Sequence, residues 1–130
     1  MNRTILLVGI IMGMLAIVLG AFGAHGLEKL VDAKAVATFE TGVRYQMYHA
    51  LFLLFLGIWN GVNPKAKRTV FILVLLAVIL FSCSIYVLAL NTLTDFDFKI
   101  IGFLTPIGGV LMIAAWICLG YHILTQKATN

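Results

Sequence analysis

Four long apolar runs constrain this chain more than any other feature. They cover about residues 5–24, 45–62, 69–90 and 100–124. Each is close to the roughly 20 residues that cross a bilayer core of about 30 Å. Hydrocarbon offers no partner to a backbone N–H or C=O, so each run must be helical, and none shows the alternation of a barrel strand. Of the 130 residues 62% are hydrophobic and only 11% charged, too few charges to coat a soluble domain of this length. Short connections make sequential runs antiparallel. The expected fold class is all-α. It is a four-span transmembrane helix bundle, a single integral membrane domain over residues 1–130, with a short interfacial amphipathic segment between spans one and two. The first run is longer than the roughly 7–15 apolar residues of a secretory signal and lacks a convincing cleavage pattern, so it is expected to stay as a span.

The formal net charge is +4, but the cations are too few and too scattered for nucleic acid. They flank the spans, where they meet membrane lipids. One side carries Arg3, Lys65, Lys67, Arg68 and Lys127 and no acid. The other carries Lys29, Lys34, Arg44 and Lys99 with all five acids, Glu28, Asp32, Glu40, Asp95 and Asp97. The compact NPKAKR turn packs three cations against two span ends. The first side is therefore read as cytoplasmic, which places both termini in the cytoplasm of a multi-pass protein of the cytoplasmic (inner) membrane.

Within span one, Gly9, Gly13, Ala16, Gly20 and Ala24 recur at steps of four and three, one helical face. Such a stripe allows close backbone approach. It serves packing inside the bundle or, alternatively, a homo-oligomer through span one. Gly26 is placed to end the helix with a positive φ, leaving His25 at the negative end of the helix dipole. From Leu27 to Val43 apolar and charged residues mix, as in one or two short helical pieces along the interface or a solvated loop. Asp32 can cap the second piece, and Glu40 and Arg44 are four apart, an ion-pair spacing. Pro106 predicts a kink in span four, with Gly102 as its accommodation. Cys83 and Cys118 differ by roughly 14 Å in depth, too far to bridge.

Depth mapping gathers most of the polar residues in the non-cytoplasmic half. Intramembrane polar groups usually face the bundle interior or a wet cavity. A polar pocket is therefore expected, lined by His25, Gln46, His49, Ser82, Ser84, Tyr86 and Thr105, with Tyr45 on the face of His49 and Arg44 at the rim near Glu40. The same residues could instead form an interior network that only locks the helices together. Trp59, Asn60, Trp116, Tyr121 and His122 read as interfacial anchors on the cytoplasmic side. No HExxH or HxxxH spacing and no nucleophile motif is present, so no catalytic residue, metal or cofactor is expected. No carboxylate lies at depth, which disfavours a proton-driven antiporter.

The stretches GAFGAHGL, TGVRYQMYHAL, FSCSIY, and TPIGG followed by AAW together resemble the YgdD-like family of small bacterial membrane proteins (domain of unknown function 423). The eukaryotic transmembrane-protein-256-like proteins are similar. The resemblance covers nearly the whole chain and departs at Ala115, where the family often has glycine. It implies a four-span membrane protein of uncharacterised function and supplies no substrate, cofactor or catalytic residue. The expected role is a non-enzymatic binding or accessory protein whose pocket holds a lipid headgroup, a small solute or a partner peptide. The alternative is an oligomeric transporter or channel for a small solute or ion.

Overall fold

The computed structural model describes residues 1–95 and 97–126, with the backbone alone at Phe98. Among these every regular element is helical: α1 (Arg3–His25), α2 (Ala33–Ile58), α3 (Pro64–Val78), α4 (Ser84–Ala89) and α5 (Leu104–Thr125). A π turn, Ile79–Cys83, joins α3 and α4 into one rod. Short 3₁₀ turns cover Leu27–Lys29, Asn91–Leu93 and Phe98–Phe103. Three stretches, Arg3–Lys29, Pro64–Ala89 and Lys99–Thr125, are long and apolar enough to cross a membrane; α2 is not among them.

Local chemistry sets the helix starts. The Asn2 side chain accepts from Ile5 N at 3.1 Å, the Asp32 side chain from Ala35 N at 2.8 Å, and the Asn63 side chain from Lys65 N at 2.9 Å ahead of Pro64. Each satisfies a first-turn N–H that has no intrahelical partner. Asp32 therefore caps as expected, but what it caps differs. Residues 33–43 are not a separate interfacial piece; they are the opening turns of α2, which passes Gly42 unbroken. Local composition hid this, because the charges of those turns resemble a loop while their apolar side packs on α1 and α4.

Two backbone expectations are also corrected. Gly26 has φ −92° and ψ −51°, and no described residue has a positive φ. The chain leaves α1 through a right-handed 3₁₀ turn, and the glycine makes room for the Phe22 ring, which a Cβ would meet at 2.9 Å. Pro106 does not kink a helix, since α5 begins at Leu104 and the proline sits in its first turn, where an N–H would lack a partner anyway. Gly102 belongs to the preceding 3₁₀ turn and has open space beside it.

The small-residue stripe of α1 lies against α2. A Cβ on Gly9 would meet Ala50 O at 3.1 Å, one on Gly20 Val43 at 3.3 Å, one on Gly23 Phe39 at 3.1 Å and one on Gly13 Ala50 at 3.7 Å. From the other side, a Cβ on Gly57 would meet Leu6 at 2.8 Å. The stripe thus packs within the chain, and it continues through Gly23 rather than the exposed Ala24. α5 packs on α3 and on the π turn, and α4 packs on α2. The larger apolar core joins Ile5, Leu53, Leu56, Val70, Val74 and Ala115; a smaller one at the opposite end holds Leu27, Phe39 and Ala89.

Candidate functional site

Between the two apolar cores lies a layer of hydrogen-bonded side chains from α2, the π turn, α4 and α5, with a backbone acceptor from α1. Gln46 is 5% exposed and sits near the midpoint of α2. Its Nε2 donates to Met12 O of α1 at 2.9 Å, and its Oε1 accepts from the Tyr86 hydroxyl of α4 at 2.7 Å. A carbonyl can only accept, so Met12 O fixes which way the amide points. Ser82, fully buried in the π turn, donates to Gly42 O of α2 at 2.8 Å. Ser84 Oγ lies 2.6 Å from Leu80 O and 2.9 Å from Phe81 O. A π turn disturbs the regular i→i−4 pairing, and this hydroxyl satisfies its carbonyls. Ser84 has one hydrogen and spends it there, so Thr105 of α5 donates the 2.7 Å bond between the two hydroxyls.

His49 extends the layer to α5. Its Nδ1 stands 2.8 Å from Tyr45 O, and the indole N–H of Trp116 donates to Nε2 at 3.3 Å. Facing a carbonyl, Nδ1 must carry the proton, and Nε2 is then the free acceptor that an indole requires. One neutral tautomer satisfies both contacts. Among the described residues no buried side-chain nitrogen or oxygen lacks a partner.

The structure therefore brings together Gln46, His49, Ser82, Ser84, Tyr86 and Thr105. The other three expected site residues lie outside this hydrogen-bonded layer. His25 is exposed at the end of α1. Arg44 is exposed and donates to Thr41 Oγ1 at 3.1 Å. Tyr45 is 40% exposed and packs on Tyr48 and Phe81, with ring centroids 5.6 and 5.0 Å apart. The layer also lies deeper than the entrance of α2, because that helix begins a dozen residues before Tyr45. Trp116, expected as an interfacial anchor, belongs to the layer instead. Its position midway along α5 carried that information, at about 1.5 Å of rise per residue. The acceptors Met12 O and Gly42 O had no sequence signal, since any backbone position offers a carbonyl.

Next to His49 the surface opens into a groove of about 450 Å³ between α2, the π turn and α5. Tyr45, Phe81, Met112, Ile113 and Trp116 form its walls. Gly108, beside it, holds α5 against the π turn; a Cβ there would lie 2.8 Å from Leu80 C and Phe81 Cα. Cys83 and Cys118 are both free.

The model of a protein family of unknown function (DUF423) matches residues 19–109, which contain Gln46, His49, Ser82, Ser84, Tyr86 and Thr105. The chain belongs to this family. A UPF0382 membrane protein of Staphylococcus saprophyticus is 41% identical over 117 residues, covering 90% of this chain and 93% of the relative. The UPF0382 membrane protein YwdK of Bacillus subtilis is 37% identical, covering 88% and 91%. One from Haemophilus influenzae is 35% identical, covering 89% and 90%. No solved structure matches the chain. Membership establishes a membrane protein and assigns no activity to the hydrogen-bonded layer or the groove.

Proposed function

We propose that the chain is a four-span protein of the cytoplasmic membrane with both termini cytoplasmic, and that its role is non-enzymatic binding of a membrane lipid. The fourth span is α2. Its contacts with α1 run from Gly57 against Leu6 to Gly23 against Phe39. That is some 18 residues of shared length, or roughly 27 Å at 1.5 Å per residue, close to the hydrocarbon thickness. The low hydropathy of α2 comes partly from Gln46 and His49, which are 5% and 3% exposed and do not meet lipid. Arg44 and Tyr48 face outward in the half nearer its start, where a long cation reaches the interface and tyrosine is favoured.

The binding element is the groove beside His49, and its occupant is the acyl chain of a phospholipid. One observation carries this reading: both ring nitrogens of His49 are engaged. The groove thus offers mainly apolar walls and no free nitrogen on His49. Its volume falls in the range of small-molecule sites, about 300–1,000 Å³, and it opens sideways between two membrane helices, where hydrocarbon is the surrounding medium. The buried polar layer holds α2, α4 and α5 in the arrangement that shapes it.

The test uses a phospholipid with a photoactivatable diazirine in its acyl chain, added to the full-length protein in lipid nanodiscs. Crosslinks are expected to concentrate on peptides containing Tyr45, Ile113 and Trp116. Ile113→Trp, which fills the groove from its rim, is expected to remove most of that labelling. Labelling spread evenly over the exposed face of α1, unaffected by Ile113→Trp, refutes the groove. Reporter fusions ahead of Arg3 and after Gln126 test the topology: four spans put both on the cytoplasmic side, and the reading fails if they report opposite sides.

A further inference from the structure

The opposite end of the bundle holds a lysine that does not stay at the surface. Lys67, one turn into α3, is 6% exposed, and its Nζ donates to Trp59 O at 2.6 Å. Trp59 closes α2, so the ammonium sits at the negative end of that helix. This contact uses one of three N–H groups. A buried cation ordinarily pairs with a carboxylate, but among the described residues none is at hand. Glu28, Asp32 and Glu40 stand around the start of α2, and Asp95 and Asp97 in the α4–α5 connection, both at the far end.

Two amides share the site. Asn2 Oδ1 accepts from Ile5 N, and Asn60 Oδ1 accepts from the amino group of Met1. Each amide oxygen thus already accepts one hydrogen bond, and each NH₂ can donate. Lys67, Asn2 and Asn60 line one cavity of about 230 Å³ with Met1, Val62 and Pro64. Its side chains thus offer donors beside a buried positive charge, with no acid among the lining residues. That is the chemistry of an anion site.

We propose that this cavity binds a phosphate group, with Lys67 as the charged contact and the amides of Asn2 and Asn60 as orienting donors. The anion is the counter-charge that the described residues do not supply. The site lies at the end of the bundle opposite the acids and is separate from the groove beside His49, so neither proposal depends on the other. A phospholipid headgroup and free phosphate offer the same oxygens, and the experiment separates them.

The full-length protein in an uncharged detergent is unfolded thermally with inorganic phosphate, with phosphatidylglycerol in mixed micelles, or with diacylglycerol, at matched ionic strength. Phosphatidylglycerol near saturation is expected to raise Tm by about 5 °C or more, and diacylglycerol to leave it unchanged. An equal rise with inorganic phosphate assigns the site to the free ion; a rise with the lipid alone assigns it to a headgroup. Lys67→Met is expected to abolish the rise. Because Lys67 also closes α2, Asn60→Asp is run beside it. That variant supplies an internal carboxylate at the same cavity, and the phosphate-dependent rise is expected to fall at least threefold while the protein stays folded. No rise with either phosphate-bearing probe, or an undiminished rise in Asn60→Asp, overturns the proposal.

Discussion

Gly108→Ala probes the contact that positions α5 against the π turn. The added Cβ would lie 2.8 Å from Leu80 C and Phe81 Cα, and nearer still to Phe81 N. Carbon atoms pack at about 3.5–4.0 Å, so α5 must retreat by roughly 1 Å. Backbone atoms cannot rotate aside as a side chain can, which places the cost near the upper end of overpacking, about 3 kcal/mol. The same retreat lengthens the 2.7 Å bond between Ser84 and Thr105, an interhelical bond worth about 0.6 kcal/mol in a membrane bundle. Alanine returns up to about 1 kcal/mol through its better helix propensity, leaving a net loss of about 2–3 kcal/mol. The neighbouring Gly109→Ala provides the control. Its Cβ would meet the Phe81 ring at 3.8 Å, an ordinary contact, so only the propensity gain remains. Adjacent glycines are thus expected to respond with opposite signs. Unfolding by sodium dodecyl sulfate in mixed micelles, followed by circular dichroism, measures both. If Gly108→Ala proves as stable as Gly109→Ala, the close approach of α5 to the π turn is wrong.

Two further outcomes follow from the polar layer. Tyr86→Phe and Gln46→Leu each break the bond between them and are expected to cost about 0.6–1.7 kcal/mol; the double variant should cost less than the sum, and full additivity in the same unfolding assay would show that the two residues are not coupled. Trp116→Phe preserves ring packing on Phe52, whose centroid lies 4.5 Å away, but removes the indole N–H from His49. The expected loss is about 0.6 kcal/mol with a change in the His49 Nε2 signal in nitrogen NMR, and an unmoved signal contradicts the bond.

Much of the site was legible in advance because intramembrane polar groups seek one another. Gln46, Ser82, Ser84, Tyr86 and Thr105 stand out against apolar neighbours, and the absence of any solvent inside a bundle leaves few other partners for them. Other placements depended on distant neighbours. Arg44 and Tyr45 are just as polar but fall outside the layer, Arg44 exposed and Tyr45 on the wall of the groove beside His49. Lys67 reads as one of three loop cations, yet it folds inward because the C-terminal end of α2 arrives beside it.

Residue composition by itself determined that the chain is helical and bound to a membrane, since unbroken apolar runs leave backbone groups no partner but their own helix. Spacing in α1 determined which face would be approached closely, and Asp32 determined a helix start, because both are properties of a few neighbouring residues. Only the tertiary structure decided that α2 runs through Gly42, that Gly108 bears the close contact with the π turn, and that the polar layer is closed on itself beside an apolar groove. Those outcomes depend on which backbone comes to lie opposite each residue, a relation between distant segments that no local stretch of sequence carries.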